Sequence, residues 1–273
     1  MTSLVTGASG FIGGVLVRQL QARGDDVRTW SRGQPLTLDG VDVVFHLAAP
    51  VDPSRDADWK TMLEGIVVLT EQLAQSCLQA DVQLVHVGTC EEYGDGPAPF
   101  HEDQLPQPVS PYSTAKVAAT MRVLALHRNH GLRATVARPF LTYGPGQGEA
   151  RLIPAAIAAA LAREPFPMTE GTQTREVNFV DDIAAGLMAC AAPEAVGRIL
   201  NIGGGPELTV YALVQRIFEA VGADPALVQR GALPSRSGET ARFVGNHRRA
   251  RLLLGHAPGV TLDEGLRRTI ESR

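Results

Sequence analysis

Cysteine is scarce in this chain, and the few cysteines that it has lie far apart. Cys77, Cys90 and Cys190 are odd in number and lack the spacing of metal ligands or of a disulfide framework. Unpaired cysteines of this kind are typical of a reducing compartment. The sequence therefore predicts a cytoplasmic protein without a metal site.

Long apolar runs and an excess of one charge are also missing. The run 152–161 is too short and too rich in alanine to span a bilayer, and the first predicted strand leaves no room before it for a secretory signal. The formal net charge is −4, and no basic block dominates any segment. We therefore expect neither a membrane nor a nucleic acid as a partner.

What the chain does have is enough apolar sequence for a large core. Its 273 residues are 44% hydrophobic and 20% charged, which is ordinary for a soluble globular protein. A chain of this length forms one large domain or two small ones.

Three glycines follow a short apolar run at the very start of the chain. Residues 3–5 have the character of a buried strand, and 11–20 carry apolar residues at helical spacing, so Gly7, Gly10 and Gly13 occupy a strand-to-helix turn. Glycine permits the tight bend and a close approach of the backbone to a ligand. The first N–H groups of the helix have no intrahelical partner and favour an anion, so the stretch predicts a nucleotide-phosphate site.

A second group of polar residues lies near the middle of the chain. The runs 41–49 and 82–88 read as buried parallel strands, and Thr89 follows the second of them directly. Ligands bind at the carboxyl ends of such strands. Tyr112 and Lys116 are four residues apart on a predicted helix, so their side chains emerge on the same face one turn apart.

These three side chains suit proton transfer to or from an alcohol or ketone. We expect the Lys116 ammonium, together with an oxidised nicotinamide, to lower the pKa of Tyr112 from its usual value of about 10. Tyr112 would then act as general acid or base while hydride moves to or from the cofactor, and Thr89 would hydrogen-bond the substrate oxygen.

Six motifs follow one another along the chain. They are the glycine turn at 6–13, His-Leu-Ala-Ala at 46–49, the Tyr-x-x-x-Lys pair, Arg-Pro-Phe-Leu-Thr-Tyr-Gly-Pro-Gly at 138–146, and the segments 175–183 and 200–205. In this order they resemble the extended short-chain dehydrogenases/reductases, the NAD-dependent epimerase/dehydratase family. The resemblance implies an α/β, Rossmann-like doubly wound parallel sheet with a smaller, interleaved C-terminal substrate lobe. It places the NAD(P)-binding domain at 1–145 and 172–204, and the lobe at 146–171 and 205–273.

The resemblance also implies which residues meet the cofactor. Ser31 and Arg32 end the second predicted strand where an acidic residue would select NAD, and a hydroxyl and a guanidinium suit a 2′-phosphate instead, so we favour NADP(H) over NAD(H). His46 is interpreted as a packed core residue because it lies inside a strand. The implied cofactor contacts are Gly7, Ser9, Gly10, Phe11, Ile12, Gly13, Ser31, Arg32, Leu47, Ala48, Ala49, Tyr112, Lys116 and Pro139.

The substrate that the resemblance implies is a nucleotide sugar. Arg175 and Arg236 are candidates for its diphosphate, and Cys90 and Glu91 follow Thr89 in the substrate loop, with Glu91 a possible auxiliary base. Cys90 is a poor acid for eliminating water, so we favour reduction of a nucleotide-linked 4-keto-6-deoxyhexose by Thr89, Tyr112 and Lys116.

Other functions stay open at this point. A nucleotide-sugar epimerase, or a 4,6-dehydratase that recycles bound NAD, would use the same residues, and a non-catalytic NAD(P)-sensing regulator is a remote alternative. Apolar residues on two sides of the predicted helix at 58–77, together with a helix at 112–128, also suggest a homodimer.

Overall fold

The structure, a computed structural model, describes residues 1–52, 54–234 and 240–273. Its strands are β1 (Thr2–Thr6), β2 (Asp26–Trp30), β3 (Val43–His46), β4 (Gln83–Val87), β5 (Ala134–Pro139), β6 (Thr142–Tyr143), β7 (Phe166–Pro167), β8 (Thr174–Glu176), β9 (Asn178–Phe179), β10 (Ile199–Ile202), β11 (Glu207–Thr209), β12 (Val228–Gln229) and β13 (Arg242–Phe243). Its α-helices are α1 (Phe11–Ala22), α2 (Trp59–Met62), α3 (Leu69–Gln79), α4 (Pro111–His130), α5 (Leu152–Ala162), α6 (Val180–Ala189), α7 (Val210–Val221), α8 (Arg248–Leu254) and α9 (Leu262–Glu271).

The central sheet has six strands in the order β10-β5-β4-β3-β1-β2, and every neighbouring pair is parallel. The chain reverses its direction of winding between β1 and β3, and the carboxyl ends of β1, β3 and β4 lie side by side, with Thr6 paired to His46 and His46 to His86. A ligand cleft forms outside the strand ends at such a reversal. The predicted doubly wound α/β fold is confirmed.

Helices cover both faces of this sheet because its strands are apolar on both sides. On one face α1 and α6 bury a cluster around Val5, Leu16 and Ile183. On the other face α3 and α4 bury a cluster around Leu84 and Val123. The catalytic candidates on α4 therefore approach the sheet from the second face.

A separate hydrophobic cluster forms the core of the C-terminal part. It joins α5, α7 and α9, and includes Ile157, Ile217 and Leu266. Phe179 packs in the same cluster although it comes from the range assigned to the cofactor domain. The exact domain boundaries stay a prediction.

The helix expected at 58–77 begins where Asp58 accepts a hydrogen bond from the Thr61 N–H at 2.8 Å. It includes one π-helical segment, Leu63–Val68, between α2 and α3. Trp59 and Val68 are 45% and 44% exposed, so part of its apolar surface is open to solvent. None of the helices in the three described ranges is long and apolar enough to cross a membrane.

Candidate active site

The glycine turn is closed by backbone contacts that leave no space for side chains. Gly7 has a φ of +72°, and a Cβ there would lie 2.8 Å from the Ala48 N atom. A Cβ on Gly13 would collide with the Gly7 carbonyl oxygen. Gly10 donates to that same oxygen at 3.0 Å. Glycine is therefore required at 7 and 13 for steric reasons.

The helix after this turn presents its N-terminus to the cleft. Gly10 caps α1 without a side-chain hydrogen bond, and Ser9 and Gly10 are exposed. Leu47 and Ala48 are half-buried against Gly7, and Ala49, Phe11 and Ile12 are half-buried as well. Pro139 is half-buried at the end of β5, three strands away in the sheet. The cradle fits the pyrophosphate of a dinucleotide, because a polar backbone surface there lacks the Cβ atoms that would exclude one.

Ser31 and Arg32 follow β2 as an exposed turn. The Ser31 N–H donates to Gln34 at 3.3 Å, and Arg32 Nη1 lies 3.9 Å from the point that a Cβ on Gly65 would occupy. The Arg32 guanidinium therefore lies near the π-helical segment Leu63–Val68. Its predicted contact with a 2′-phosphate stays a prediction.

The structure brings Thr89, Tyr112 and Lys116 together as buried side chains at the carboxyl end of β4. The Thr89 hydroxyl lies close enough to the Tyr112 phenol to lower its pKa, and it accepts a hydrogen bond from the Glu91 N–H at 3.2 Å. Lys116 Nζ donates to the Val87 carbonyl oxygen at 2.8 Å.

Burial has opposite consequences for the two titratable members of this set. It raises the pKa of Tyr112, which Thr89 lowers and the nearby Cys90, Glu91 and Glu92 raise further. Burial therefore opposes the lowering of the tyrosine pKa that we expected from Lys116 and an oxidised nicotinamide. Burial lowers the pKa of Lys116 to about 8, against the attraction of Glu92.

Cys90 and Glu91 lie at the same strand end. Burial raises the pKa of the Cys90 thiol, and the charges of Glu91 and Glu176 raise it further. Burial also raises the pKa of Glu91, while Arg175 and Arg151 act to lower it. Both cations therefore lie near the substrate loop, and sequence analysis missed Arg151, which directly precedes α5. The other candidate, Arg236, lies outside the described residues.

Glu92 and Arg138 form a buried ion pair behind this set that sequence analysis also missed. Glu92 Oε2 accepts from Arg138 Nη2 at 2.7 Å and from Nε at 3.0 Å, and both side chains are at most 1% exposed. One signal was available in the sequence, because Thr89 followed three residues later by Glu92 is a capping box. Its partner, 46 residues away, has no local signal.

Within the described ranges, no group of three or more His, Cys, Asp or Glu side chains is placed to hold a metal ion. His46 is buried, with Nδ1 2.8 Å from Thr6 Oγ1 and Nε2 3.0 Å from Thr70 Oγ1. Its interpretation as a core residue is confirmed.

The model of the NAD-dependent epimerase/dehydratase family matches residues 3–203. A dTDP-glucose 4,6-dehydratase of Streptomyces griseus is 33% identical, covering 98% of this chain and 92% of that protein. A UDP-glucose 4-epimerase of Mycolicibacterium smegmatis is 33% identical over 99% of this chain and 98% of its own length. Among solved structures, the dTDP-glucose 4,6-dehydratase DesIV from Streptomyces venezuelae, crystallised with NAD, superimposes with a TM-score of 0.88 at 30% identity, covering 100% of this chain and 96% of its own.

These relatives fit one of the alternatives better than the reduction that we favoured. None of the three is a ketoreductase, and two kinds of activity are named among them, dehydration and epimerisation. The preference for NADP finds no support either, since the solved relative contains NAD. The chain belongs to the NAD-dependent epimerase/dehydratase family and is an enzyme of the NAD-dependent oxidoreductase type.

Proposed function

We propose that this enzyme inverts a hydroxyl-bearing carbon of a neutral nucleotide-linked hexose, with recycled NAD. The observation that carries this proposal is the buried group of Thr89, Tyr112 and Lys116 at the carboxyl end of β4, two strands from the glycine turn that follows β1. The 4-epimerase among the relatives, which aligns over nearly the whole chain, supports the same reaction class.

Tyr112 is the proton carrier in this proposal. As a phenolate it takes the proton of the sugar hydroxyl, and it returns that proton when the hydroxyl is formed again on the other face. Thr89 holds the sugar oxygen within reach, and the Lys116 ammonium together with the positive charge of oxidised NAD would stabilise the phenolate against its burial. NAD supplies the hydride acceptor and donor when it is bound, so no net oxidation occurs.

Cys90 is the reason to place epimerisation before dehydration. Eliminating water requires one group that protonates the departing hydroxyl and another that removes a proton from the neighbouring carbon. The buried Cys90 holds its proton tightly because its thiol pKa is raised. It is therefore a poor acid at the position next to Thr89, whereas epimerisation needs no such group.

Glu91 supports a 4,6-dehydratase as the second candidate. Burial raises the pKa of its carboxyl, which therefore exchanges protons closer to neutral pH than an ordinary glutamate does, and its charge acts on Tyr112. One carboxyl of this kind could serve as both acid and base in turn. Two of the three relatives described above are dehydratases, which agrees with this candidate.

We propose NAD as the recycled cofactor, on the strength of the solved relative that contains it. Ser31 and Arg32, both exposed after β2, are the residues that favour NADP instead. Titrations of the wild-type chain and of Arg32→Ala with NAD and NADP decide between them. Tighter binding of NADP that Arg32→Ala abolishes would establish our original preference for NADP.

The test of function is incubation of the chain and NAD with UDP-glucose or dTDP-glucose, followed by NMR of the products. A C4 epimer that forms without accumulation of reduced cofactor is expected. A 4-keto-6-deoxy product that disappears in Glu91→Gln would establish the dehydratase instead. Stoichiometric oxidation of NADPH by a nucleotide-linked 4-keto-6-deoxyhexose, with no epimer from either substrate, would restore the ketoreductase.

We propose further that two copies of the chain pair through the helices at 58–79 and α4. Trp59, Val68 and Met121 are large apolar side chains exposed on these helices, at 45%, 44% and 42%. Burying them against a second copy removes this surface from water. Light scattering at micromolar concentration should give twice the 29.1 kDa chain mass, and Val68→Glu should give the mass of one chain.

A further inference from the structure

Glu92 is a fully buried acid whose two oxygens contact three different elements of the site. Oε1 accepts from the Thr89 N–H at 3.0 Å and from the Thr120 hydroxyl, on α4, at 3.1 Å. Oε2 receives two bonds from Arg138 on β5. The carboxylate therefore ties the loop that carries Thr89 to the helix that carries Tyr112 and Lys116, and both of them to the sheet.

The surroundings are shaped to admit this carboxylate. A Cβ on Gly88 would collide with Glu92 Oε1, so the absence of a side chain at 88 provides the space that the oxygen occupies. The Arg138 guanidinium lies over the Tyr93 ring, 4.6 Å from its centroid. Tyr93 in turn donates to Asn201 at 2.6 Å. These contacts on both sides hold the Glu92–Arg138 pair in the arrangement described above.

Stability alone does not account for a pair in this place. Burying two charges costs desolvation that their attraction often only offsets, and apolar residues of similar volume frequently replace such pairs without loss of stability. Arg138 Nη1 is buried without a hydrogen-bond partner among the described residues, which adds to the cost. What the pair does provide is a fixed position for the backbone N–H of Thr89, the residue that lies beside the Tyr112 phenol.

We propose that Glu92 is a positioning residue that holds Thr89 against Tyr112, with Arg138 fixing the carboxylate. The inference rests on the proposed function for its catalytic consequence. The Thr89 hydroxyl lies near the phenol, and Glu92 holds the same residue through its backbone N–H. Misplacement of a reacting group by about 1 Å can cost on the order of a hundredfold in rate.

The first test compares Glu92→Gln with a matched control, Glu102→Gln. Glu102 is also buried, accepts from a backbone N–H (Asn201, 3.1 Å) and lies near an arginine (Arg249, 3.9 Å), but it contacts none of the three catalytic candidates. Glu92→Gln should lower kcat about 10- to 100-fold, with KM for the nucleotide hexose changed less than about threefold. Glu102→Gln should keep the wild-type kcat. A wild-type kcat in Glu92→Gln would overturn the proposal.

The second variant separates positioning from folding. Glu92→Leu combined with Arg138→Met removes both buried charges, so neither is left unpaired and the chain should fold. The Thr89 N–H still loses its acceptor, and kcat should stay as low as in Glu92→Gln. Recovery of wild-type kcat in this double variant would mean that the pair serves stability alone.

Hydrogen exchange of the Thr89 amide tests the geometry without turnover. In the double variant it should exchange at least about tenfold faster than in the wild type, the factor that corresponds to one lost hydrogen bond. Glu102→Gln should leave that rate unchanged. Unchanged exchange in the double variant refutes the positioning role whatever the enzyme turns over. A wild-type chain inactive on every nucleotide hexose, with the faster exchange, refutes the proposed function and leaves the role of Glu92 intact.

Discussion

The cofactor side and the substrate side of the cleft are held in shape by different kinds of interaction. On the cofactor side, the turn at Gly7, Gly10 and Gly13 is shaped by backbone atoms in contact with one another, and side chains contribute by their absence. On the substrate side, the loop after β4 is held by the carboxylate of Glu92, paired with Arg138 from a distant strand. We therefore expect the cofactor side to be sensitive to added side-chain volume, and the substrate side to be sensitive to changes of charge and of protonation.

Tyr112→Phe should impair catalysis on the substrate side without weakening cofactor binding, and we expect it to lower the rate more than any other substitution. Losing the proton carrier should lower kcat about 10²- to 10⁴-fold, while NAD affinity stays within about threefold, because the ring and its packing remain. Steady-state kinetics and a cofactor titration measure the two effects. Tyr211→Phe, which removes a phenol bonded to Gln215 in the C-terminal lobe, is the matched control. Equal kcat in the two variants would remove Tyr112 from the mechanism.

Arg138→Met should show how strongly the substrate side depends on charge. It leaves the Glu92 carboxylate buried without its counter-ion, so the free energy of unfolding should fall by about 3–5 kcal/mol in urea titrations. Arg249→Met is the control, since its side chain is 28% exposed and the carboxylate that accepts from it at 2.6 Å, Asp103, is 82% exposed; it should cost less than about 1 kcal/mol. Equal losses in the two variants would contradict a special role for the buried pair.

The same contrast explains what could be predicted from the sequence. The glycine turn and the Tyr112/Lys116 pair depend on spacing within a few residues, so local pattern was sufficient for both. The Glu92–Arg138 pair joins residues 46 apart, and no local pattern selects Arg138 as the partner. The burial that opposes the expected lowering of the Tyr112 pKa could not be predicted either, because the depth of burial is a property of the whole fold.

Gly13→Ala tests the cofactor side by adding one methyl group. Its Cβ would collide with the Gly7 carbonyl oxygen, so we expect a loss of about 1–3 kcal/mol in stability and weaker NAD binding. Gly14→Ala is the neighbouring control, because its Cβ would lie 3.5 Å from the Ala8 carbonyl oxygen, an ordinary contact. Within a helix this change should stabilise by about 0.5–1 kcal/mol. Equal NAD affinity in the two variants would argue against the steric account of the turn.

His46→Gln should change the stability less than the other substitutions do. His46 lies where the two sides of the cleft meet, between Thr6 at the end of β1 and Thr70 on α3. Burial, with a smaller contribution from Lys116, lowers the pKa of His46 to about 3 from an ordinary value of 6.5. Between these values the unfolded chain binds a proton that the folded chain does not, so the stability that His46 contributes is complete above pH 6.5 and is lost as the pH falls toward 3. The slope is at most about 1.4 kcal/mol per pH unit. Urea titrations between pH 4 and 7 should give a shallower dependence in His46→Gln than in the wild type, whereas the exposed His130→Gln should not change it. An unchanged slope in His46→Gln would mean that His46 already binds its proton in the folded chain.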